Sequence, residues 1–155
     1  MEIRWIEDIK EFRRISKQWD EAVINSQELN PFLLSDFIIS WWENFKDGPG
    51  LRILICEDAG QIKAGLPLYI KKEGLRCGYV RVLKYLGDYA ANYTEPLYSG
   101  KDVRILPLLE EALRGAKDWD VLILTDIRDK SRFIKELNTG PAKKEFSYDL
   151  LQDHV

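Results

Sequence analysis

The sequence predicts a single α+β domain in which helices pack against a mostly antiparallel sheet. Three observations support this prediction. Two helical segments come early in the chain, three strand-like segments joined by short turns follow them, and one further strand lies between two later helices. The element order is therefore β-α-α-β-β-β-α-β-α. A length of 155 residues, with 45% apolar and 32% charged residues, suits one globular domain.

The first three elements follow from alternation, capping and helical spacing. Residues 2–6 alternate as a short strand. Asp8 is suited to cap a helix that extends to about Ile24, because the apolar residues in between recur every three or four positions. Ser35 is suited to cap a second helix, Asp36–Phe45. This second helix is apolar nearly all round, so we expect it to be buried on more than one side.

A three-stranded antiparallel meander is predicted next. Its strands are Leu51–Glu57, Ile62–Lys71 and Leu75–Leu86, separated by turns at residues 58–61 and 72–74. Pro67 interrupts the middle strand. Because proline has no N–H to donate to a ladder, we expect a bulge or an edge at this position.

A helix and a short strand complete the predicted sheet layer. Pro107 fits only the first turn of a helix, so the helix is expected to begin near Leu106 and to end at about Lys117. The strand Trp119–Thr125 shows no polar alternation. That pattern is typical of a strand covered on both faces, and we expect this strand to be buried.

The chain ends with a helix and a charged tail. Asp129 is suited to cap a last helix that extends to about Leu137. We interpret residues 1–141 as one domain and residues 142–155 as a C-terminal tail, the start of a missing second domain. Its apolar patch, Phe146–Leu151, together with the five tryptophans of the chain, suggests a seam for that domain or for a second protomer.

Charge and hydropathy exclude several classes of function. The net charge is -3, which argues against a general binder of nucleic acid or of membrane surfaces, since both depend on basic patches. No apolar run reaches the ~18 residues of a membrane span, and the N-terminus does not resemble a leader. We expect a cytoplasmic protein.

The cysteines and the histidine limit the possible chemistry. Cys56 and Cys77 do not form a CxxC pair and both lie in apolar, strand-like contexts, so we expect two reduced cysteines. His154 is the only histidine and is followed by a single residue. Ser-His-Asp, Cys-His and HExxH chemistries are therefore excluded, and no metal site is predicted.

The loop that follows the meander concentrates the residues suited to a binding site. Asp88 and Glu95 are candidate catalytic carboxylates, as general base, acid or hydrogen-bond acceptor. Tyr89 and Tyr93 can stack on a substrate and Asn92 can orient it. The alternative is a structural turn, in which the polar side chains cap backbone groups and the tyrosines pack.

Two further segments are candidates for the same cleft. Phe32 and Ser35 belong to the loop Asn30–Ser35, which either lines the cleft or serves only to begin the second helix, with Phe32 as a hydrophobic staple. Asp126 directly follows the predicted buried strand, where sites often form in α/β-type folds. It is a second candidate carboxylate, or else a turn residue.

Several stretches, in this order, resemble one protein family. They are Asn30-Pro-Phe-Leu-Leu-Ser35 followed by Trp41-Trp42, then Gly65–Tyr69, Leu83–Pro96 and Trp119–Leu124. Across most of residues 1–138 the chain resembles the N-terminal half of the GNAT-like acyltransferases of the cellulose-biosynthesis-associated type, relatives of the FemAB-like aminoacyl transferases. The resemblance implies a GNAT-like fold.

The resemblance also implies where the substrates bind. In that family the domain assigned the acyl donor comes after the region seen here, so this chain would be the acceptor-side half. It lacks the Gln/Arg-x-x-Gly-x-Gly/Ala turn that cradles the pyrophosphate of acetyl-CoA at a helix N-terminus. The nearest string, Arg114-Gly115-Ala116, falls near a helix C-terminus.

Two functional hypotheses remain open at the level of sequence. The first is an N-acyltransferase-like enzyme half, with a small-molecule, sugar or peptide acceptor, an acyl donor such as acetyl-CoA that this chain does not bind by itself, and a second GNAT-like domain or a homodimer partner. The second is a non-catalytic binding or scaffold module that kept the fold and lost the donor site.

Overall fold

The computed structural model describes residues 1–26, 29–45, 50–88, 90–101 and 103–139. Its elements, in chain order, are β1 (Glu2–Ile6), α1 (Ile9–Ile24), a 3₁₀ turn (Pro31–Leu33), α2 (Ser35–Phe45), β2 (Gly50–Asp58), β3 (Gln61–Leu75), β4 (Gly78–Tyr85), β5 (Leu97–Tyr98), α3 (Ile105–Gly115), β6 (Val121–Ile123) and α4 (Arg132–Thr139). The predicted α+β class is confirmed. No helix in these ranges is long and apolar enough to cross a membrane.

One six-stranded sheet organises the fold. Its order is β1-β2-β3-β4-β6, and β5 pairs separately with β3. The predicted meander β2-β3-β4 is present, and every strand pair is antiparallel except β4 with β6. The carboxyl ends of these two parallel strands therefore lie at the same edge of the sheet.

Pro67 lies where β3 changes its partner. On one side of β3, β4 pairs with residues from Leu68 onward, whereas β5 pairs with Ala64 and Gly65. Pro67 falls in the gap between these two partners, which is the edge-like position that its missing N–H requires. The pairing of β3 with β2 does contain a bulge, but it lies away from Pro67, between Cys56 and Glu57 of β2.

The helices cover both faces of the sheet. Trp19 of α1 lies against Gly65, and Trp41 of α2 lies 5.0 Å from the ring of Tyr69, so α1 and α2 share one face. Side chains alternate along a strand, so Trp5 and Leu83 point to the opposite face, where α3 packs.

The turn between β3 and β4 lies closer to the C-terminus than predicted. Lys72, Glu73 and Gly74 continue β3, and Gly74 pairs with Tyr79. The chain turns at Arg76 and Cys77 instead, and Gly78 follows with a φ of 146° that glycine adopts without strain. Cys77 is consequently exposed, in contrast to its predicted apolar setting.

Strand β6 is shorter and more exposed than predicted. It comprises Val121–Ile123 and is the last strand of the described sheet. Val121 and Ile123 are 42% and 39% exposed, and only Leu122 packs against the core. The prediction of a strand covered on both faces was therefore wrong, because an unbroken apolar run does not distinguish a central strand from an apolar edge strand.

The start of α4 also differs from the prediction. Ser131, not Asp129, is the capping residue, because its hydroxyl accepts a hydrogen bond of 3.0 Å from the N–H of Ile134. Asp129 lies in the turn before the helix. The predicted tail, with its apolar patch Phe146–Leu151 and with His154, lies outside the described residues.

Candidate functional site

The predicted site loop connects β4 to β5 and is bonded to the end of β6. The backbone N–H of Thr94 donates to the carbonyl of Asp126 at 2.9 Å, and the Thr94 hydroxyl donates to the carbonyl of Thr125. The Thr125 hydroxyl in turn donates to Asp88 at 2.9 Å. These bonds hold the loop across the carboxyl ends of the two parallel strands.

Asp88 lies inside this junction and not in an open cleft. Its side chain is 2% exposed and pairs with the Lys84 ammonium, Nζ to Oδ2, at 2.9 Å. Gly87 turns the chain just before it with a φ of 107°. Because the carboxylate is enclosed by Lys84 and Thr125, its position fits the structural alternative better than the role of a base that meets a substrate.

Glu95 lies beside a small aromatic and cationic cluster. Its carboxylate accepts a hydrogen bond of 2.9 Å from Nε of Arg128, whose guanidinium lies 4.4 Å from the centre of the Tyr93 ring. Tyr93 meets Phe32 edge to face at 5.5 Å. The structure therefore brings together three of the predicted residues, Phe32, Tyr93 and Glu95.

A small polar cavity opens next to Glu95. Its volume is about 60 Å³, and its lining comprises Ser26, Asn30, Leu33, Glu95, Pro96, Tyr98, Arg128 and Arg132. A space of this size can hold a few water molecules or one polar group of a ligand.

Two buried polar atoms in the cavity wall have no partner among the described residues. They are Nδ2 of Asn30, which is 2% exposed, and the hydroxyl of Tyr98, which is 8% exposed. Burial raises the pKa of Tyr98 well above its ordinary value, so its hydroxyl stays protonated and can donate. Both groups are hydrogen-bond donors that belong to residues lining the cavity.

Asn30 is held in place by the packing of α1. Its Oδ1 accepts from the N–H of Phe32 at 2.9 Å, which caps the 3₁₀ turn. The indole N–H of Trp19 donates to the carbonyl of Leu33 at 2.6 Å, and the ring of Trp19 rests on Gly65. The position of this wall of the cavity thus depends on how closely α1 approaches β3.

Arg132 closes the cavity from the side of α4. Its guanidinium lies 4.5 Å from the ring centre of Tyr98 and donates to the carbonyls of Gly100, at 3.0 Å, and Val103. It also pairs with Glu136, Nε to Oε1, at 3.3 Å. Arg132 therefore holds both the segment before α3, through Gly100 and Val103, and the cavity wall at Tyr98 in place.

The N-terminus of α3 is capped by the same Glu136. Its Oε2 accepts from the backbone N–H groups of Ile105 and Leu106 at 3.1 and 3.3 Å. A helix N-terminus is a favourable place for an anion, and here a side chain of the protein occupies it.

The remaining predicted residues lie apart from the cavity. Ser35 is buried, and its N–H and hydroxyl donate to Asp20 of α1 at 2.7 and 2.6 Å, so it connects two helices. Asn92 is exposed. Asp126 is exposed with a φ of 56°, which fits its interpretation as a turn residue. Tyr89 lies outside the described residues.

Three residues that line the cavity were not predicted: Ser26, Tyr98 and Arg132. Ser26 follows the end of α1, and Tyr98 belongs to a strand of two residues, so neither is part of a recognisable pattern. The sequence does contain two arginines close together after the predicted strand, Arg128 and Arg132, and this cluster of positive charge is a signal for the cationic wall of the cavity. No group of three or more potential metal ligands is present in the part of the chain that the structure describes.

Comparisons with known proteins identify a fold relative but no family. The sequence matches no protein-family model. No curated protein matches it either. Solved structures that are similar to it include a single-site mutant and a tetramutant of the BH1408 protein from Bacillus halodurans. Each has a TM-score of 0.57 and 12% identity, covers 100% of this chain, and is itself covered over 98% and 99% of its length. At this identity the likeness shows the fold alone.

Proposed function

We propose that this chain is the acceptor-side domain of a GNAT-like acyl or aminoacyl transferase and that Glu95 is the side chain that meets the acceptor. The observation that carries the proposal is the polar cavity beside Glu95, which lies near the carboxyl ends of the sheet's parallel strand pair. Ligands of open sheets commonly bind outside the carboxyl ends of parallel strands.

The order of elements supports the proposal. Two helices follow β1, an antiparallel meander follows them, and the α3 crossover then brings β6 parallel to β4. This order agrees with the GNAT-like arrangement that the resemblance of the sequence implies.

The chemistry of the cavity suits a small polar acceptor. Transfer of an acyl group to an amine or hydroxyl releases a proton, and a carboxylate within hydrogen-bond distance can accept it. In the proposed complex, Glu95 takes this role, while Asn30 and Tyr98 donate hydrogen bonds to an oxygen of the acceptor. Asp88 is enclosed by Lys84 and Thr125 and takes no part in the chemistry.

The described residues do not fit a pyrophosphate-bearing acyl donor at α3. Glu136 already occupies the two N–H groups at the start of this helix. Gly115, of the nearest glycine-containing string, ends the same helix, where the dipole repels an anion. In this proposal, a separate domain or protomer therefore supplies the donor site.

A second candidate function is a non-catalytic binding module. The capping of α3 by Glu136 favours it, as does the pairing of Glu95 with Arg128, because ion-paired carboxylates are also common as purely structural groups. In that case the cavity would bind a ligand without any transfer.

Binding measurements test the proposal. Backbone amide NMR shifts are recorded while glucosamine or a lysine-containing tripeptide is added, and acetyl-CoA is titrated separately by calorimetry. We expect saturable shifts at the cavity residues with at least one acceptor, lost in Glu95→Gln and retained in Glu21→Gln, a matched change at an exposed position of α1. Micromolar binding of acetyl-CoA would refute the claim that this chain lacks a donor site. Shifts that survive Glu95→Gln would refute the claim that Glu95 contacts the acceptor.

A further inference from the structure

A larger cavity lies away from the polar one, on the sheet face opposite α1 and α2. Its volume is about 520 Å³, and it lies between the C-terminal half of α3 and strands β1, β2 and β4. Pockets that bind small molecules commonly have volumes of ~300–1,000 Å³. The size of this cavity is therefore that of a ligand site and not that of a packing defect.

The walls of this cavity are aromatic and apolar. Trp5 and Trp119 line it together with Ile3, Leu83, Ala112 and Ala116. Both indoles are half-buried and pack against the core. Flat indole surfaces favour a flat aromatic ligand, because stacked or edge-to-face ring contacts add to the burial of apolar area.

One wall residue carries a buried donor without a partner. The indole N–H of Trp119 is buried and has no acceptor among the described residues. A buried polar group without a partner is unfavourable by about 1–3 kcal/mol, so an acceptor atom supplied by a ligand would be favoured.

The charges at the rim disfavour an anionic ligand. Arg52 is the more buried of the two cations in the lining, and it is already bonded to Asp118 at 2.5 Å, to Glu7 at 3.4 Å and to the carbonyl of Leu51 at 2.8 Å. Glu111 adds a third carboxylate to the lining, against one further cation, Lys117. The carboxylates thus outnumber the cations.

From these walls, the unpartnered donor and the charge balance, we propose that this cavity binds a flat, uncharged aromatic molecule with one hydrogen-bond acceptor, which faces the indole N–H of Trp119. This site is independent of the proposed acceptor site, because the two share no lining residue.

Two probes of the same shape test the proposal with the full chain. Quinoline carries a ring nitrogen that accepts a hydrogen bond and is uncharged at neutral pH, whereas naphthalene has no acceptor. The indole N–H signals of the five tryptophans are followed by NMR during each titration. We expect quinoline to saturate and to move the Trp119 signal downfield, and naphthalene to bind about five-fold more weakly without that movement.

Variants separate this site from binding elsewhere. Trp119→Phe keeps a ring but removes the donor, and should make the two probes bind equally. Trp42→Phe, a matched change on the other face, should change neither affinity. Ala116→Phe should fill the cavity and abolish binding, and Ala112→Leu provides the same test if the first variant does not fold. The proposal is overturned if neither probe saturates, if quinoline still binds better than naphthalene in Trp119→Phe, or if both probes still bind a folded cavity-filling variant.

Discussion

Replacement of Gly65 by alanine should destabilise the protein more than any ordinary glycine substitution in a strand. A Cβ added at Gly65 would lie 2.4 Å and 2.6 Å from two ring carbons of Trp19. Carbon atoms in contact are separated by about 3.5 Å, so the ring or the strand must move by about 1 Å. Trp19 is completely buried, and its N–H is bonded to the carbonyl of Leu33, so the ring has little room to move.

The expected loss can be worked from these two contacts. Overpacking of a core is unfavourable by about 1–3 kcal/mol. Disruption of the buried bond between Trp19 and Leu33 adds about 1 kcal/mol. Together they predict that Gly65→Ala lowers the free energy of unfolding by about 2–4 kcal/mol, measured by urea denaturation and far-UV circular dichroism.

Gly74 provides the control within the same strand. A Cβ added there meets no atom within 4 Å, so Gly74→Ala should change stability by less than about 0.5 kcal/mol, or raise it slightly. In a Trp19→Phe background, which lacks the larger ring, the effect of Gly65→Ala should fall below about 1 kcal/mol. The reasoning fails if Gly65→Ala and Gly74→Ala have equal effects, or if the effect of Gly65→Ala is the same in both backgrounds.

Three further predictions concern charged and buried polar groups. Hydrogen bonds from Arg81 lower the pKa of Asp120 from 3.8 to about 2, so its charged form stabilises the fold above the unfolded pKa and loses this effect as the pH falls. Asp120→Asn should thus lower the urea midpoint at neutral pH, and its difference from the parent should vanish between about pH 4 and pH 2. Asp88→Asn removes the closer of the two carboxylates that pair with the buried Lys84, the other being Glu73 at 3.7 Å, and should destabilise by at most about 3 kcal/mol; an added Lys84→Met should recover part of that loss in the same assay. Tyr98 should show no phenolate absorbance at about pH 11 while the protein stays folded, because burial raises its pKa, and stability should fall as the pH rises above about 10. The predictions for Asp120 and Tyr98 are contradicted by the opposite pH trend. The prediction for Asp88 is contradicted by an unchanged urea midpoint.

Local signals in the sequence predicted most of the fold. Asp8 caps α1, as its position before a helical apolar pattern indicated, and its side chain accepts from the N–H of Lys10 at 2.9 Å. Gly60, with a φ of 74°, forms the predicted hairpin turn. Pro107 lies in the first turn of α3, as its missing N–H requires. Each of these features is decided by neighbours within a few residues.

The features that the sequence did not reveal depend on distant contacts. The exposure of Val121 and Ile123 depends on which strand ends the sheet, and that is a property of the topology. The polar cavity joins Asn30, Tyr98 and Arg132 from three separate segments. Glu95 was found because its loop is rich in polar residues, whereas its partner Arg128 is fixed by the tertiary structure alone.

The bond between Glu136 and the start of α3 sets a threshold for anion binding. A carboxylate attached to the same chain competes with any anion from solution, and tethered groups act at effective concentrations of about millimolar or more. An anion present well below this effective concentration, and with no stronger affinity for the two N–H groups than the carboxylate has, cannot displace Glu136. The helix is therefore insensitive to dilute phosphate and responds only to an anion that has further contacts elsewhere on the protein.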